Sequence, residues 1–259
     1  MSSSEKVEHL EKRLFKKGAV RDKIRSKTIL IPSLITMCGI FCGFLAIVSA
    51  FNGKFAYAAK CVLVAIILDG LDGRVARRLN ATTEFGKEFD SLSDLIAFGV
   101  APGILIYSWG LSQVADEIGL LASFLYVVCC ATRLARFNVE VGGGLKSFTG
   151  LPSPGAAAAI VTLVYCFPEP VTSIWWASAT MLYGICIAFL MVSTFPFLSV
   201  KTLQWKEANR SLGMLAIAAL IVMLWKFNQE MLFLLATIYA WSGPVKAILN
   251  KKHKLPIAA

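Results

Sequence analysis

The run "ILIPSLITMCGIFCGFLAIVSAF", residues 29–51, contains no charged side chain. It is long enough to cross a bilayer, which takes about 20 apolar residues in a helix. It opens a series of eight such runs, with approximate bounds 29–51, 55–75, 89–109, 117–136, 154–168, 173–195, 211–226 and 230–249. The fifth and seventh are short for a full crossing. "FPEP" at 167–170 and "TFPF" at 194–197 interrupt the apolar pattern and mark span ends. The expected fold is all-α, a polytopic membrane bundle of about eight transmembrane helices. Composition agrees: the chain is 57% apolar and 16% charged, where soluble domains hold about 45–50% and about 25%.

Charge orients the bundle. Of the 26 Lys and Arg, 23 lie in the N-terminal arm, in the loops around 74–87, 133–146 and 201–210, and in the end from Lys246 onward. Only Lys54, Lys60 and Lys226 fall elsewhere. By the positive-inside rule, both termini and these three loops are expected on the cytoplasmic side of the cell's inner membrane. Topology and anionic headgroups account for the net charge of +10, so no nucleic-acid partner is expected. In the arm, Val7, Leu10 and Leu14 are spaced as on one helical face among Lys12, Arg13, Lys16 and Lys17, which suits a short helix lying on the inner leaflet. The arm has no apolar core, so no cleavable signal peptide is expected. The organisation read from the chain is a basic amphipathic arm (1–28), one transmembrane domain (29–250) and a basic tail (251–259), without internal repeats. The seven cysteines sit in or beside apolar segments and form no CxxC pair, so they are read as packing residues. Trp109, Trp175, Trp176 and Trp241 are read as interfacial belt residues. The two histidines, His9 and His253, lie in the tails, which argues against catalysis by a histidine base or nucleophile.

Against this background, "LDGLDGRVARRLNATTEFGKEFDSLSDLIAFG" (68–99) is anomalous, because it places Asp69, Asp72, Asp90 and Asp94 where one span ends and the next begins. Asp69 and Asp72 are spaced i, i+3, and Asp90 and Asp94 i, i+4, so on helices each pair shares a face. A short polar loop returns the second helix antiparallel to the first and lets the two pairs face each other. Acids in a membrane are costly and like charges repel, so something must neutralise them. Arg74, Arg77, Arg78 and Lys87 are near enough to form a salt-bridge cluster. Alternatively, an oxygen-only ligand set without His or Cys suits a hard cation such as Mg²⁺, Mn²⁺ or Ca²⁺, and a pair of such ions is a common device of phosphoryl chemistry. Gly70 and Gly73 bare the helix surface beside the carboxylates, as the close approach of a ligand requires. For Gly70, helix packing is the alternative.

Read from Asp69, the stretch is D-x-x-D-G-x-x-A-R-x8-G-x-x-x-D-x-x-x-D, carried by Asp69, Asp72, Gly73, Ala76, Arg77, Gly86, Asp90 and Asp94. It resembles the complete signature of the CDP-alcohol phosphotransferases. The resemblance implies a CDP-linked lipid donor and two divalent cations (Mg²⁺ or Mn²⁺), the first held by Asp69, Asp72 and Asp90, the second by Asp69, Asp90 and Asp94. Asp94 would also be the base for the attacking hydroxyl. Gly73 would make room for the cytidine, Arg77 would contact phosphate, and Thr83 and Gly86 would lie beside the nucleotide. The family's first span often begins P-N-x-x-T. Here that segment is Pro32-Ser33-Leu34-Ile35-Thr36, with Ser33 where asparagine is usual.

Two further stretches bear on the acceptor. "CCATRLARFNVE" sets Arg133 and Arg136 at i, i+3 with Asn138 just beyond, and "FTGLPSPGAAAA" follows at 148–159 with Ser153 at a helix start. Both resemble the phosphatidylserine synthase branch of the family, which implies CDP-diacylglycerol as donor, L-serine as acceptor, a cytoplasm-facing cavity among membrane lipids, and a homodimer. Two arginines on one helical face suit a carboxylate or a phosphate. Glycerol 3-phosphate and inositol phosphate acceptors therefore remain open, as does a cation path through the aspartates in a transporter.

Overall fold

The computed structural model of the chain describes residues 33–79, 83–112, 116–142, 150–195, 197 and 228–253, with side chains in helix interiors given to residue 139 and to residue 247 at the two long C-terminal ends. The arm, Pro32, the 211–226 span and residues 254–259 lie outside the described residues. The described residues form seven helices and no strand. We number them α1 (Ser33–Phe51), α2 (Phe55–Arg78), α3 (Glu84–Leu111), α4 (Asp116–Gly142), α5 (Ser153–Cys166), α6 (Ile174–Val192) and α7 (Asn228–His253). They coincide with seven of the eight expected spans. Four of them, α1, α3, α6 and the Asp116–Val139 part of α4, are long and apolar enough to cross a membrane. The chain is a helical membrane protein.

The shortest helix lies at the centre. At about 1.5 Å per residue, the 14 residues of α5 extend about 21 Å, less than a hydrocarbon core of about 30 Å. It does not have to face lipid along its length, because α2, α3, α6 and α7 pack around it. Its side chains are buried from Ala156 to Tyr165 apart from Ala158. A helix apolar on every side belongs in such an interior, and the run of alanines lets its neighbours approach closely.

α3 is one continuous rod with two π-helical turns, Leu95–Val100 and Tyr107–Leu111. Pro102 has no N–H to offer the carbonyl four residues back, which is that of Phe98. The buried Tyr126 of α4 supplies the missing donor, its hydroxyl 2.9 Å from Phe98 O. α1 crosses α3 closely: a Cβ on Gly43 would lie 3.0 Å from Ala97 Cα. At the opposite end from the aspartates, Trp109 is only 2% exposed. Its indole N–H lies 2.8 Å from both Phe167 O and Glu169 O. This corrects the expectation, from its place near a span end, that Trp109 is an interfacial belt residue like Trp175, Trp176 and Trp241. Those three are exposed (Trp175 83%), whereas Trp109 clamps the turn between α5 and α6.

Candidate active site

Apart from Ser49, near the far end of α1, the buried Ser, Thr and Asp side chains separate into two groups. Ser123, Thr162 and Thr180 bond carbonyls of their own helices, a local solution that involves no neighbouring helix. Thr36, Asp72, Ser93 and Ser153 are equally buried but bond across helices at one end of the bundle. A cross-helix polar network in apolar surroundings is costly unless satisfied, so its concentration at one end marks a site.

Asp69 and Asp72 come from the last turns of α2, and Asp90 and Asp94 from the first turns of α3. The antiparallel return brings them together as expected. One carboxylate oxygen each from Asp69, Asp72 and Asp90 lies within 4.8 Å of the others. Asp94 sits against Asp69 and within electrostatic range of Asp72 and Asp90. Asp72, 6% exposed, accepts a 3.0 Å hydrogen bond from Thr36 Oγ1 on α1, and Ser93 Oγ donates to the Thr36 carbonyl at 3.3 Å. α1 thereby fixes the orientation of a carboxylate carried by α2, and α3 fixes α1.

The basic residues expected to neutralise the cluster are engaged elsewhere or exposed. Lys87 Nζ pairs with Glu84 at 2.7 Å, and Arg74, Arg77 and Arg78 are exposed. Among the described residues, no Lys or Arg forms an ion pair with the four carboxylates. Arg133 acts on Asp94 at longer range. A convergent, oxygen-only set of acids with no paired cation among the described residues fits a hard divalent ion. Beside it, a Cβ on Gly70 or Gly73 would meet nothing within 4 Å, so the glycine face of α2 is open.

The connecting turn has its own logic. Thr83 caps α3 with an extended backbone, its Oγ1 accepting from Gly86 N–H at 3.0 Å. A Cβ on Gly86 would lie 3.0 Å from that same oxygen, so glycine keeps the cap uncrowded. Ala76 is half-buried two residues before the exposed end of α2, and Ser33 opens α1.

The acceptor candidates come from α4 and α5. Arg133 Nη1 donates to Ser153 Oγ at 3.1 Å, and Ser153 is 1% exposed at the first turn of α5. Its position depends on Gly150, at φ +85°, where a Cβ would lie 2.4 Å from Met191 O. Gly150 N–H donates to Phe195 O, and Leu151 N–H to Leu190 O, tying the entry of α5 to the end of α6. Arg136 is half-buried one turn beyond Arg133. Asn138 does not join Arg133: its amide donates to Ser91 Oγ at 3.0 Å, linking α4 to α3.

Sequence reasoning did not single out Ser93, Ser91 or the α1 glycines. Gly39 and Gly43 form a G-x-x-x-G pattern, the available signal for a close crossing. Ser91 and Ser93 occupy variable positions between Asp90 and Asp94, where the motif carries no information.

The profile of the CDP-alcohol phosphatidyltransferase family matches residues 29–191. The chain is 41% identical over 182 residues to a CDP-diacylglycerol–serine O-phosphatidyltransferase of Helicobacter pylori, covering 68% of this chain and 75% of that protein. It is 38% identical over 180 residues to an archaetidylserine synthase of Methanothermobacter thermautotrophicus (69% and 73% covered). It is 36% identical over 168 residues to a CDP-diacylglycerol–serine O-phosphatidyltransferase of Bacillus subtilis (64% and 89% covered).

Proposed function

The chain belongs to the CDP-alcohol phosphatidyltransferase family, and from this we infer that it transfers the phosphatidyl group of CDP-diacylglycerol to the hydroxyl of L-serine, giving phosphatidylserine and CMP. The observation that carries the reading is the convergence of Asp69, Asp72 and Asp90 within 4.8 Å, with Asp94 against Asp69 and within electrostatic range of Arg133. This arrangement provides for the charge of a pyrophosphate on one side and that of an anionic acceptor on the other.

Asp69, Asp72, Asp90 and Asp94 would hold two divalent cations, Mg²⁺ or Mn²⁺. When bound, these ions supply Lewis-acid polarisation of the pyrophosphate and offset the charge of the leaving group. The chain's own residues do the rest. Thr36 holds the Asp72 carboxylate in place through its hydroxyl. The open face at Gly73 receives the cytidine, flanked by Ser33, Ala76, Thr83 and Gly86, with Arg77 on phosphate. Asp94 takes the proton from the serine hydroxyl. The serine oxygen then bonds to the lipid-side phosphorus, the bond from that phosphorus to the bridging oxygen breaks, and CMP leaves with the electron pair. Arg133 and Arg136 hold the serine carboxylate, with Ser153 positioning Arg133 and Asn138 bracing α4. Both termini and the site face the cytoplasm, the lipid tails lie in the inner membrane, and the enzyme works as a homodimer.

The test is purified protein in detergent with CDP-diacylglycerol and Mg²⁺ or Mn²⁺, with L-serine, glycerol 3-phosphate and inositol phosphate offered separately and in competition. Serine-dependent release of CMP with formation of phosphatidylserine is expected. Turnover with either phosphate acceptor and none with serine would reassign the acceptor. No CMP release with any acceptor would overturn the transferase reading.

A further inference from the structure

The segment matched by the family ends at residue 191, whereas α7 begins at Asn228. Yet α7 packs along α5, and its Tyr239 reaches the acceptor end of the site. A Cβ on Gly155 would lie 2.8 Å from Tyr239 Cε1 and 3.3 Å from Cδ1, so the ring rests against the bare backbone of α5's first turn. Phe197 packs on the same ring with centroids 6.3 Å apart. The Tyr239 phenol and the Arg133 guanidinium lie within electrostatic range of each other. A ring held this way by two neighbours beside a functional cation is placed rather than merely accommodated.

The guanidinium itself is incomplete. Nη1 donates to Ser153, but Nε is buried and has no hydrogen-bond partner among the described residues. Buried donors are almost always paired, and leaving one unmade is costly. Arginine only donates, so the missing partner must be an acceptor. A carboxylate offers about four lone-pair sites on two oxygens and can receive the Nε–H and a phenol O–H together.

We propose that Tyr239 is a specificity-determining residue for the acceptor, its hydroxyl acting beside Arg133 on the carboxylate of an amino-acid substrate. In this arrangement α7, from outside the matched segment, completes the acceptor side that Arg133 and Arg136 begin, while the donor side lies wholly within the matched segment. Gly155 is part of the device, because any side chain there displaces the ring. The proposal rests on the serine reading above.

The experiment compares wild type, Tyr239→Phe and Gly155→Ala as purified full-length chains, titrating L-serine and CDP-diacylglycerol separately. Tyr239→Phe keeps the ring and removes one hydrogen bond to a charged group, so the KM for serine should rise about tenfold while that for CDP-diacylglycerol stays unchanged. Gly155→Ala leaves the phenol intact but displaces it, and should reproduce the same split. It decides alone if Tyr239→Phe does not accumulate. An unchanged serine KM in either variant, or a parallel rise in both KM values as a structural role would give, overturns the proposal. A wild-type chain that is active with a phosphate acceptor and not with serine overturns the serine reading and the proposal with it. Wild-type serine activity together with a neutral Tyr239→Phe overturns the proposal alone.

Discussion

The proposed donor side and the proposed acceptor side of the site are built in opposite ways. The carboxylates come from two helices consecutive in sequence and joined by a short turn, so Asp69 to Asp94 occupy one 26-residue stretch. The acceptor side as proposed draws Arg133 from α4, Ser153 from α5 and Tyr239 from α7, held together by a left-handed turn at Gly150 and a bare backbone at Gly155. Local construction leaves the aspartates leaning on one further helix, α1, through the Thr36–Asp72 bond. Distributed construction makes the proposed acceptor side depend on how three helices pack, which allows its selectivity to change without disturbing the aspartates.

The largest expected effect breaks the chemistry shared by both sides. Asp94→Asn should lower turnover by at least about 100-fold, the lower range for loss of a general base, while CDP-diacylglycerol binding persists because an amide still offers an oxygen ligand. Retention of a tenth of the wild-type rate, about 1.4 kcal/mol of barrier, would show that Asp94 is not the base. Next in size, Arg133→Ala should raise the serine KM roughly ten- to hundredfold, as for lost hydrogen bonds to a charged group, with a smaller rise for Arg136→Ala and little change in donor KM. Arg133→Lys should rescue poorly, since an ammonium lacks the planar fork. Equal losses for both substrates would move the arginines to the donor phosphates. The smallest effect sharpens the comparison from the other side. Thr36→Val removes the 3.0 Å bond to Asp72 and should raise the Mg²⁺ concentration for half-maximal rate roughly tenfold, the lower range for loss of a partner that orients a metal ligand. The serine KM should not move. A serine KM that rises in step would show that the two sides are not separable.

The same contrast explains what was legible in the sequence. Periodicity and spacing specify Asp69, Asp72, Asp90 and Asp94 as facing pairs because helix geometry alone relates them. Seven of the eight apolar runs were legible as helices, and 84–111 emerges as one helix longer than its 89–109 run because the polar first turn carries its cap at Thr83. Trp109 misled because an aromatic near a span end has the same sequence signature whether it faces lipid or clamps a turn. Its burial depends on the FPEP segment folding back across it. Tyr239 and Ser93 carry no signature, since their roles arise from contacts between helices distant in sequence or from motif positions that accept any residue. Gly150 carries no signature of its own in the sequence. Its necessity comes from the end of α6, whose carbonyls occupy the space a side chain would need.

The central claim is direct displacement on a site where donor and acceptor are held side by side. Both substrates must then be bound before any bond breaks, and the chain has no histidine in its spans to carry a phosphatidyl intermediate. The decisive measurement is exchange of labelled CMP into CDP-diacylglycerol in the absence of serine, run beside initial rates with both substrates varied. The account predicts intersecting initial-rate lines and no serine-independent exchange. Parallel lines with rapid exchange would contradict it and place a covalent phosphatidyl-enzyme on the path.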